Sequence, residues 1–176
     1  KIISAPMISL LTLANSESHN FTAEILLRHA ADTWNPTKAS DKVTDWLSSK
    51  RIPTSSVLLV DGSGLSRSNQ LTPLSVASLL RYMDGKTHGS IYQSSMAVLG
   101  LRGTLTNLGT GLASEMDGTF YGKTGTLTGV RAVSGIMENS NGKTFISIIS
   151  NDAVEPNYRI IKLLNIIDDS KCDSDS

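Results

Sequence analysis

The sequence is poor in the residues on which several classes of protein depend. It has one cysteine, Cys172, and three scattered histidines, His19, His29 and His88, so it can form neither an internal disulfide nor a Cys/His metal site. Sixteen basic and sixteen acidic residues cancel, which removes the electrostatic basis for binding nucleic acid or an anionic membrane surface. No apolar run approaches the ~20 residues of a membrane-spanning helix. We therefore expect no metal, no nucleic-acid partner and no transmembrane segment.

The remaining composition is that of one globular domain, and 176 residues are enough for a core. Apolar spacing predicts helices over 5–14, 21–33, 37–49, 72–83, 91–99 and 156–167, and a short buried strand over 56–60. From Phe120 the period changes to two. A strand that carries Lys123-Thr124-Gly125 and strands at 130–137 and 144–150 are predicted, with a hairpin signal at Asn141-Gly142. The predicted fold is α/β of the α+β type, an antiparallel sheet flanked by helices. The polar tail 168–176 is expected to be disordered.

The segment Lys123-Thr124-Gly125-Thr126 lies on a predicted strand and carries the strongest chemical signal. Lys123 offers a positive charge and three donors, while the hydroxyls of Thr124 and Thr126, two residues apart, share a strand face. Gly125 has no side chain, so a peptide could pair with the strand edge there. This surface suits a substrate carboxylate, although the same residue types also occur in a plain turn.

Two polar segments between predicted elements allow both a structural and a functional reading. Ser18-His19-Asn20 precedes a helix, where it could serve as a helix cap assisted by Glu24. Alternatively, Ser18 could relay protons and Asn20 could orient a substrate amide in a cleft. The second segment, 61–69, contains Ser63 and could be an ordinary loop fixed by Asp61 and two glycines. It is, however, longer and more polar than a minimal turn, and a stretch this particular is less often generic.

One further pattern is rejected as a site. Ser140 and Lys143 have the Ser-x-x-Lys spacing with which a helical lysine reaches a nucleophilic serine one turn away. Here the spacing falls in the predicted hairpin turn, where the two side chains do not share a helix face.

Together these motifs resemble class C penicillin-binding proteins, the D-alanyl-D-alanine carboxypeptidase/endopeptidase family. Three segments carry the resemblance in the family's order: Ser18-His19-Asn20 with 21–24, the stretch 61–73, and 123–129 with its Lys-Thr-Gly. The resemblance spans roughly residues 4 to 167. It implies the C-terminal part of a β-lactamase/transpeptidase-like domain that uses no cofactor and works in the periplasm or at the outer face of the cell membrane.

The resemblance also implies roles for individual residues. Ser18 is expected to join the proton relay, Asn20 to hold the substrate's peptide carbonyl, and Lys123 to support the relay electrostatically. Thr124 and Thr126 are expected to bind the terminal D-alanine carboxylate, and Gly125 and Ser63 to contribute to substrate binding. The expected ligands are stem peptides ending in D-Ala-D-Ala, and β-lactams.

The sequence departs from this family in one large respect. The nucleophile helix with Ser-x-x-Lys, and the strands that complete one side of the sheet, are expected upstream of Lys1. We therefore predict that the chain alone is inactive, and that it pairs with a missing N-terminal half or self-associates. Two other readings remain open: a non-catalytic D-Ala-peptide-binding module, and a β-lactamase-like acyl-hydrolase, which the stretch 61–73 disfavours.

Overall fold

The structure is a computed structural model, and it describes residues 4–108, 116, 118–140 and 142–169. The elements follow in the order α1 (Met7–Asn15), α2 (Asn20–Ala30), α3 (Pro36–Ser49), α4 (Pro73–Asp84), α5 (Gly89–Ser94), β1 (Ala97–Val98), a 3-10 turn (Gly103–Leu105), β2 (Phe120–Leu127), β3 (Val130–Asn139), β4 (Gly142–Asn151) and α6 (Pro156–Asp169). Within these residues, no helix has the length and apolar character needed to cross a bilayer.

The sheet is an antiparallel meander in the order β1-β2-β3-β4, in which the three strands from Phe120 onward are those that the period-two pattern predicted. The hairpin between β3 and β4 is also present, although Asn141 itself lies outside the described residues. Phe120 packs where Gly122 and Gly135 face each other across β2 and β3. A Cβ on either glycine would lie 2.6 to 2.7 Å from the ring, so the missing side chains make room for the phenylalanine.

Two predicted elements are wrong, and in both cases tertiary contacts explain the difference. The helix predicted over 91–99 ends at Ser94, and residues 97 and 98 form β1 because they are buried against β2. The strand predicted over 56–60 is reduced to a single bridge between Leu58 and Gln70. Leu58 and Val60 are 49% and 38% exposed, so this segment is not buried.

Helices cover both faces of the sheet, as expected for this fold class. On one face α6 packs through Ile160, Ile161 and Leu164 against strand side chains that include Phe120 and Val133. Leu163 of the same helix is 45% exposed and lies outside this interface. The helix continues to Asp169, two residues into the predicted tail, and residues 170–176 lie outside the described part of the chain.

On the other face, α4 and α5 pack near Leu80, Met96 and Ile136. The start of α4 is as predicted, because the Thr72 hydroxyl accepts a hydrogen bond from the Ser75 amide at 3.0 Å. A cleft opens on this face between the helices, the loop after residue 60 and strand β2.

Candidate active site

The break between α1 and α2 presents two polar side chains that are not used to cap the helix. His19 caps α2, with its ring nitrogen accepting from the Thr22 amide at 3.3 Å. Glu24 does not complete a capping box, since its carboxylate accepts from the Gly62 amide instead. The capping interpretation of Ser18 and Asn20 is therefore wrong, and both side chains border the cleft.

Ser18 meets the lysine of the Lys-Thr-Gly strand directly. The Lys123 ammonium donates to the Ser18 hydroxyl at 2.6 Å and to the Thr124 carbonyl at 2.9 Å. Ser18 has a φ of 57°, in the left-handed region that disfavours residues other than glycine, asparagine and aspartate. Strain of this kind persists when the surrounding structure holds it, and it is frequent at functional sites.

Burial lowers the pKa of Lys123, because desolvation disfavours its charged form. Among the described residues, no carboxylate lies within ion-pair distance of this ammonium. A half-buried cation without an anionic partner in an open cleft is suited to an anionic ligand, and its third N–H donor is available to bind one.

Strand β2 borders the cleft with a partly unpaired edge. Strand β1 covers this edge only as far as Gly122, and no described strand pairs with it beyond that point. The Leu99 amide donates to the Phe120 carbonyl on the same edge, so alternation directs the main-chain groups of Thr124 and Thr126 outward there. This edge can therefore accept an extended peptide by strand addition.

The side chains of β2 reach the cleft from both faces of the strand. Lys123 lies opposite Ser134, whereas Thr124 and Thr126 lie opposite Val133 and Arg131 on the other face. The two threonines thus share a face, as predicted, but it is not the face of Lys123. All three border the cleft because β2 is the strand at its edge.

Gly125 lies on the Lys123 face of β2, opposite Ala132. A Cβ at this position would lie 3.3 Å from the Ala132 Cβ, which is a tight contact. Because Gly125 has no side chain, nothing projects from this position into the cleft beside the free strand edge.

The opposite wall is the loop 61–69, which is built around one carboxylate. Asp61 accepts hydrogen bonds from the Ser63 hydroxyl at 3.1 Å, the Gly64 amide at 2.8 Å, the Ser66 amide at 2.9 Å and the Asn69 amide group at 2.8 Å. Burial by itself raises the pKa of Asp61, but these four hydrogen bonds, led by Asn69, outweigh it and lower the pKa. Ser63 borders the cleft while its hydroxyl also serves this loop.

The loop is fixed to the rest of the molecule at both ends of the cleft. Gly62 donates to Glu24 at 2.7 Å, and a Cβ on Gly62 would lie only 2.7 Å from the Leu27 Cβ, so only glycine allows this approach to α2. At the other end, Arg67 donates to the Thr128 carbonyl at 3.2 Å and connects the loop to the turn after β2.

The cleft between these walls has a volume of about 1080 Å³. All seven predicted site residues border it: Ser18, Asn20, Ser63, Lys123, Thr124, Gly125 and Thr126. The structure therefore brings together three segments that are far apart in sequence. Within the described residues, no cluster of His, Cys, Asp or Glu side chains could hold a metal ion.

Sequence reasoning missed the inner wall of the cleft. This wall includes Leu80, Tyr92 and Met96, which come from α4, α5 and the segment after α5. Burial raises the pKa of the Tyr92 phenol. No local pattern distinguishes these residues from ordinary core positions, since they reach the cleft only through packing of the helices on the sheet.

Comparisons with known proteins find a matching family model and similar sequences. Residues 1–166 match the model of the D-Ala-D-Ala carboxypeptidase 3 (S13) family. The chain is 33% identical over 162 residues to carboxypeptidase DacB of Mycolicibacterium smegmatis, covering 87% of this chain and 35% of that protein. It is 31% identical over 183 residues to penicillin-sensitive carboxypeptidase A of Dictyostelium discoideum, covering 95% of this chain and 34% of that protein.

A solved structure shows the same fold. Penicillin-binding protein 4 (dacB) of Haemophilus influenzae, complexed with a β-lactam, superposes with a TM-score of 0.80 at 24% identity. The superposition covers 93% of this chain and 42% of that one. The chain spans about a third of the length of the curated relatives that it matches.

Proposed function

The chain belongs to the D-Ala-D-Ala carboxypeptidase 3 (S13) family, and from this premise we propose that it forms one half of the active site of a serine-type D-Ala-D-Ala carboxypeptidase/endopeptidase. The supporting observation is the 2.6 Å hydrogen bond from Lys123 to Ser18, which joins the partly unpaired edge strand β2 to the break between α1 and α2 across the cleft. The substrate would be a peptidoglycan stem peptide ending in D-Ala-D-Ala, and β-lactams would bind in the same place.

The proposed reaction is an acyl transfer in two steps. A serine hydroxyl attacks the carbonyl of the D-Ala-D-Ala bond, the C–N bond breaks, and D-alanine leaves with a proton delivered to its amine. Water then hydrolyses the serine ester. Ser18, hydrogen-bonded to Lys123, would carry the proton, while Asn20 would orient the scissile peptide and its carbonyl.

Recognition of the peptide would use strand β2. The main-chain groups of Thr126 would pair with the ligand, and the hydroxyls of Thr124 and Thr126 would bind its terminal carboxylate. Lys123 adds a positive charge that no described carboxylate neutralises. Charge-assisted hydrogen bonds of this kind are about twice as strong as neutral ones.

The nucleophile itself would come from a part of the protein outside these residues. The sequence contains Ser-x-x-Lys once, at Ser140 and Lys143. These residues flank the turn between β3 and β4, and the Lys143 ammonium is bound to Asp84 at 2.8 Å and Gln93 at 3.0 Å. We therefore propose that the 176-residue chain has no peptidase activity alone.

Labelling with a fluorescent penicillin tests this proposal. The longer protein that contains this stretch should be labelled stoichiometrically and should release D-alanine from a D-Ala-D-Ala peptide, whereas the isolated chain should do neither. Excess unlabelled penicillin is the control for nonspecific labelling. Covalent labelling of the isolated chain would contradict the assignment of the nucleophile, and binding without turnover by the longer protein would favour a peptide-binding module.

The rest of the longer protein would also complete the sheet. Strand β4 pairs only with β3 among the described strands, and Tyr158, Leu163 and Ile166 of α6 are 51%, 45% and 56% exposed. Unpaired edges and apolar patches promote association. We propose that this surface meets the N-terminal half or, without it, a second copy; a monodisperse monomer of the isolated chain in light scattering would contradict this.

The proposed substrate also suggests where the protein works. Peptidoglycan lies outside the bacterial cytoplasmic membrane, so we propose the periplasm or the outer face of that membrane. Fractionation of cells that express the longer protein, with a cytoplasmic marker as control, tests the location.

A further inference from the structure

The Arg131 guanidinium group forms hydrogen bonds to both ends of the turn that joins β2 to β3. Leu127 and Val130 are the last paired residues of the two strands. One terminal nitrogen of Arg131 donates to the carbonyls of both, at 3.1 Å to Leu127 and 3.0 Å to Val130. Arg131 shares a sheet face with its cross-strand partner Thr126 but, unlike Thr126, it does not border the cleft. Its side chain lies instead beside Pro156 and Tyr158 at the start of α6.

The two carbonyls in between are also satisfied by donors from elsewhere in the chain. Thr128 accepts from Arg67 at 3.2 Å, and Gly129 accepts from the Asp152 amide at 2.6 Å. Each of the four consecutive carbonyls from 127 to 130 thus accepts a hydrogen bond from beyond the two-residue turn or from Arg131 beside it. In an exposed turn, water could satisfy these carbonyls equally well. The protein donors are therefore not needed to satisfy the carbonyls, and their effect is to fix the position of the turn.

The turn needs this support because the strand before it has a neighbour on one side only. Strand β1 pairs only with Tyr121 and Gly122, so the edge from Lys123 to Leu127 lacks a described pairing strand on its cleft side. An edge that receives a ligand by main-chain pairing works best when it is already held in the bound geometry.

We propose that Arg131 is a positioning residue that holds the free edge of β2 in place for the ligand by fixing the turn behind it. It acts through the Leu127 and Val130 carbonyls and makes no contact with the ligand. The inference rests on the proposed function for the identity of the ligand, but the fixing of the turn can be measured without it.

The chain offers a matched control for this proposal. Arg81 is an exposed arginine on α4 that makes no side-chain hydrogen bond or ion pair among the described residues. Asp84, at the end of the same helix, binds Lys143 at the opposite end of the sheet from the turn, so removal of the Arg81 side chain should leave the turn unchanged. R131A, R131K and R81A would be made in the longer protein. Hydrogen–deuterium exchange over residues 124–130 reports on the turn, and stopped-flow labelling with fluorescent penicillin separates initial binding from acylation.

We expect R131A to exchange faster over 124–130 and to acylate roughly 10- to 100-fold more slowly, the range expected when a reacting group is misplaced. R131K, which provides an ammonium without a planar fork, should lie between R131A and the wild type, and R81A should match the wild type. Millimolar guanidinium ion should restore part of the acylation rate to R131A.

Opposite results would overturn the proposal. Three results would do so: acylation by R131A at the wild-type rate, an unchanged hydrogen–deuterium exchange rate over 124–130 in R131A, or a reduced acylation rate in R131A that guanidinium ion does not restore. If R131A fails to fold, the same comparisons for R131K decide the matter. If the wild type is not acylated at all, the proposed function fails, and the exchange data alone confirm or refute the role of Arg131.

Discussion

Replacing Lys123 by methionine separates the chemistry of the site from the stability of the fold. Methionine keeps an unbranched, flexible side chain but removes the charge and the hydrogen bonds to Ser18 and Thr124. Each such hydrogen bond contributes about 1 kcal/mol net, or somewhat more for a charged donor. Because both acceptors border an open cleft, water can replace the lost donor, and no buried group is left unpaired.

Burial of the Lys123 ammonium lowers the stability of the wild type, whereas its hydrogen bonds raise it. Desolvation lowers the pKa of Lys123 in the folded chain below its value in the unfolded chain. Between these two pKa values the unfolded state therefore holds more protons than the folded state. The stability of the wild type should therefore increase between the folded and unfolded pKa values, and K123M should lack this increase. At pH 7 we expect the two effects to offset each other to within about 1 kcal/mol.

The effect on chemistry should be much larger. Removing one preorganised electrostatic donor from an acyl-transfer site typically slows the reaction by about 10²- to 10³-fold, or about 2.7–4 kcal/mol. The assays are urea denaturation of the chain at pH 7 and pH 10 and penicillin acylation by the longer protein. The reasoning is wrong if K123M loses several kcal/mol of stability, or if it acylates like the wild type.

Three other predictions follow from the structure. S18G and S18A both lose the hydroxyl and should both acylate more slowly, but S18G should be the more stable of the two by up to about 1 kcal/mol, because only glycine relieves the left-handed backbone. S68G against S68A in the loop is the control, and an S18G no more stable than S18A would contradict the strain argument. The Asp61 carboxylate should contribute its full stabilisation above its pKa in the unfolded chain, and this stabilisation should be lost as pH falls through its lower pKa in the folded chain. Amide exchange over residues 62–69 in the wild type and in D61N measures this loss. If acid increased the exchange rate of D61N as much as that of the wild type, the prediction would be refuted. L164A should destabilise the chain by about 2–5 kcal/mol, because Leu164 is fully buried between α6 and the sheet. L163A, at an exposed position of the same helix, should lower the free energy of unfolding much less. Equal losses for the two variants in urea denaturation would contradict this packing.

Much of the fold could be predicted because local patterns dominate it. The period-two segments from Phe120 onward gave the meander, and Thr72 and Pro73 marked the start of α4, since strand alternation and caps depend on neighbouring residues. The Lys-Thr-Gly segment and the pair Ser18 and Asn20 were identified by residue type and order. The structure brings these segments to one cleft.

Other features could be decided only by the tertiary structure. Burial beside β2 makes Ala97 a strand residue where its neighbours favour a helix, because side-chain packing outweighs the weak local propensity. His19 takes the cap and leaves Ser18 to Lys123, a contact across 105 positions of sequence. The sequence by itself determined which chemical groups are present and the elements that carry them. Their distances, their burial and the shift of the Lys123 pKa depend on long-range packing, which no local pattern encodes.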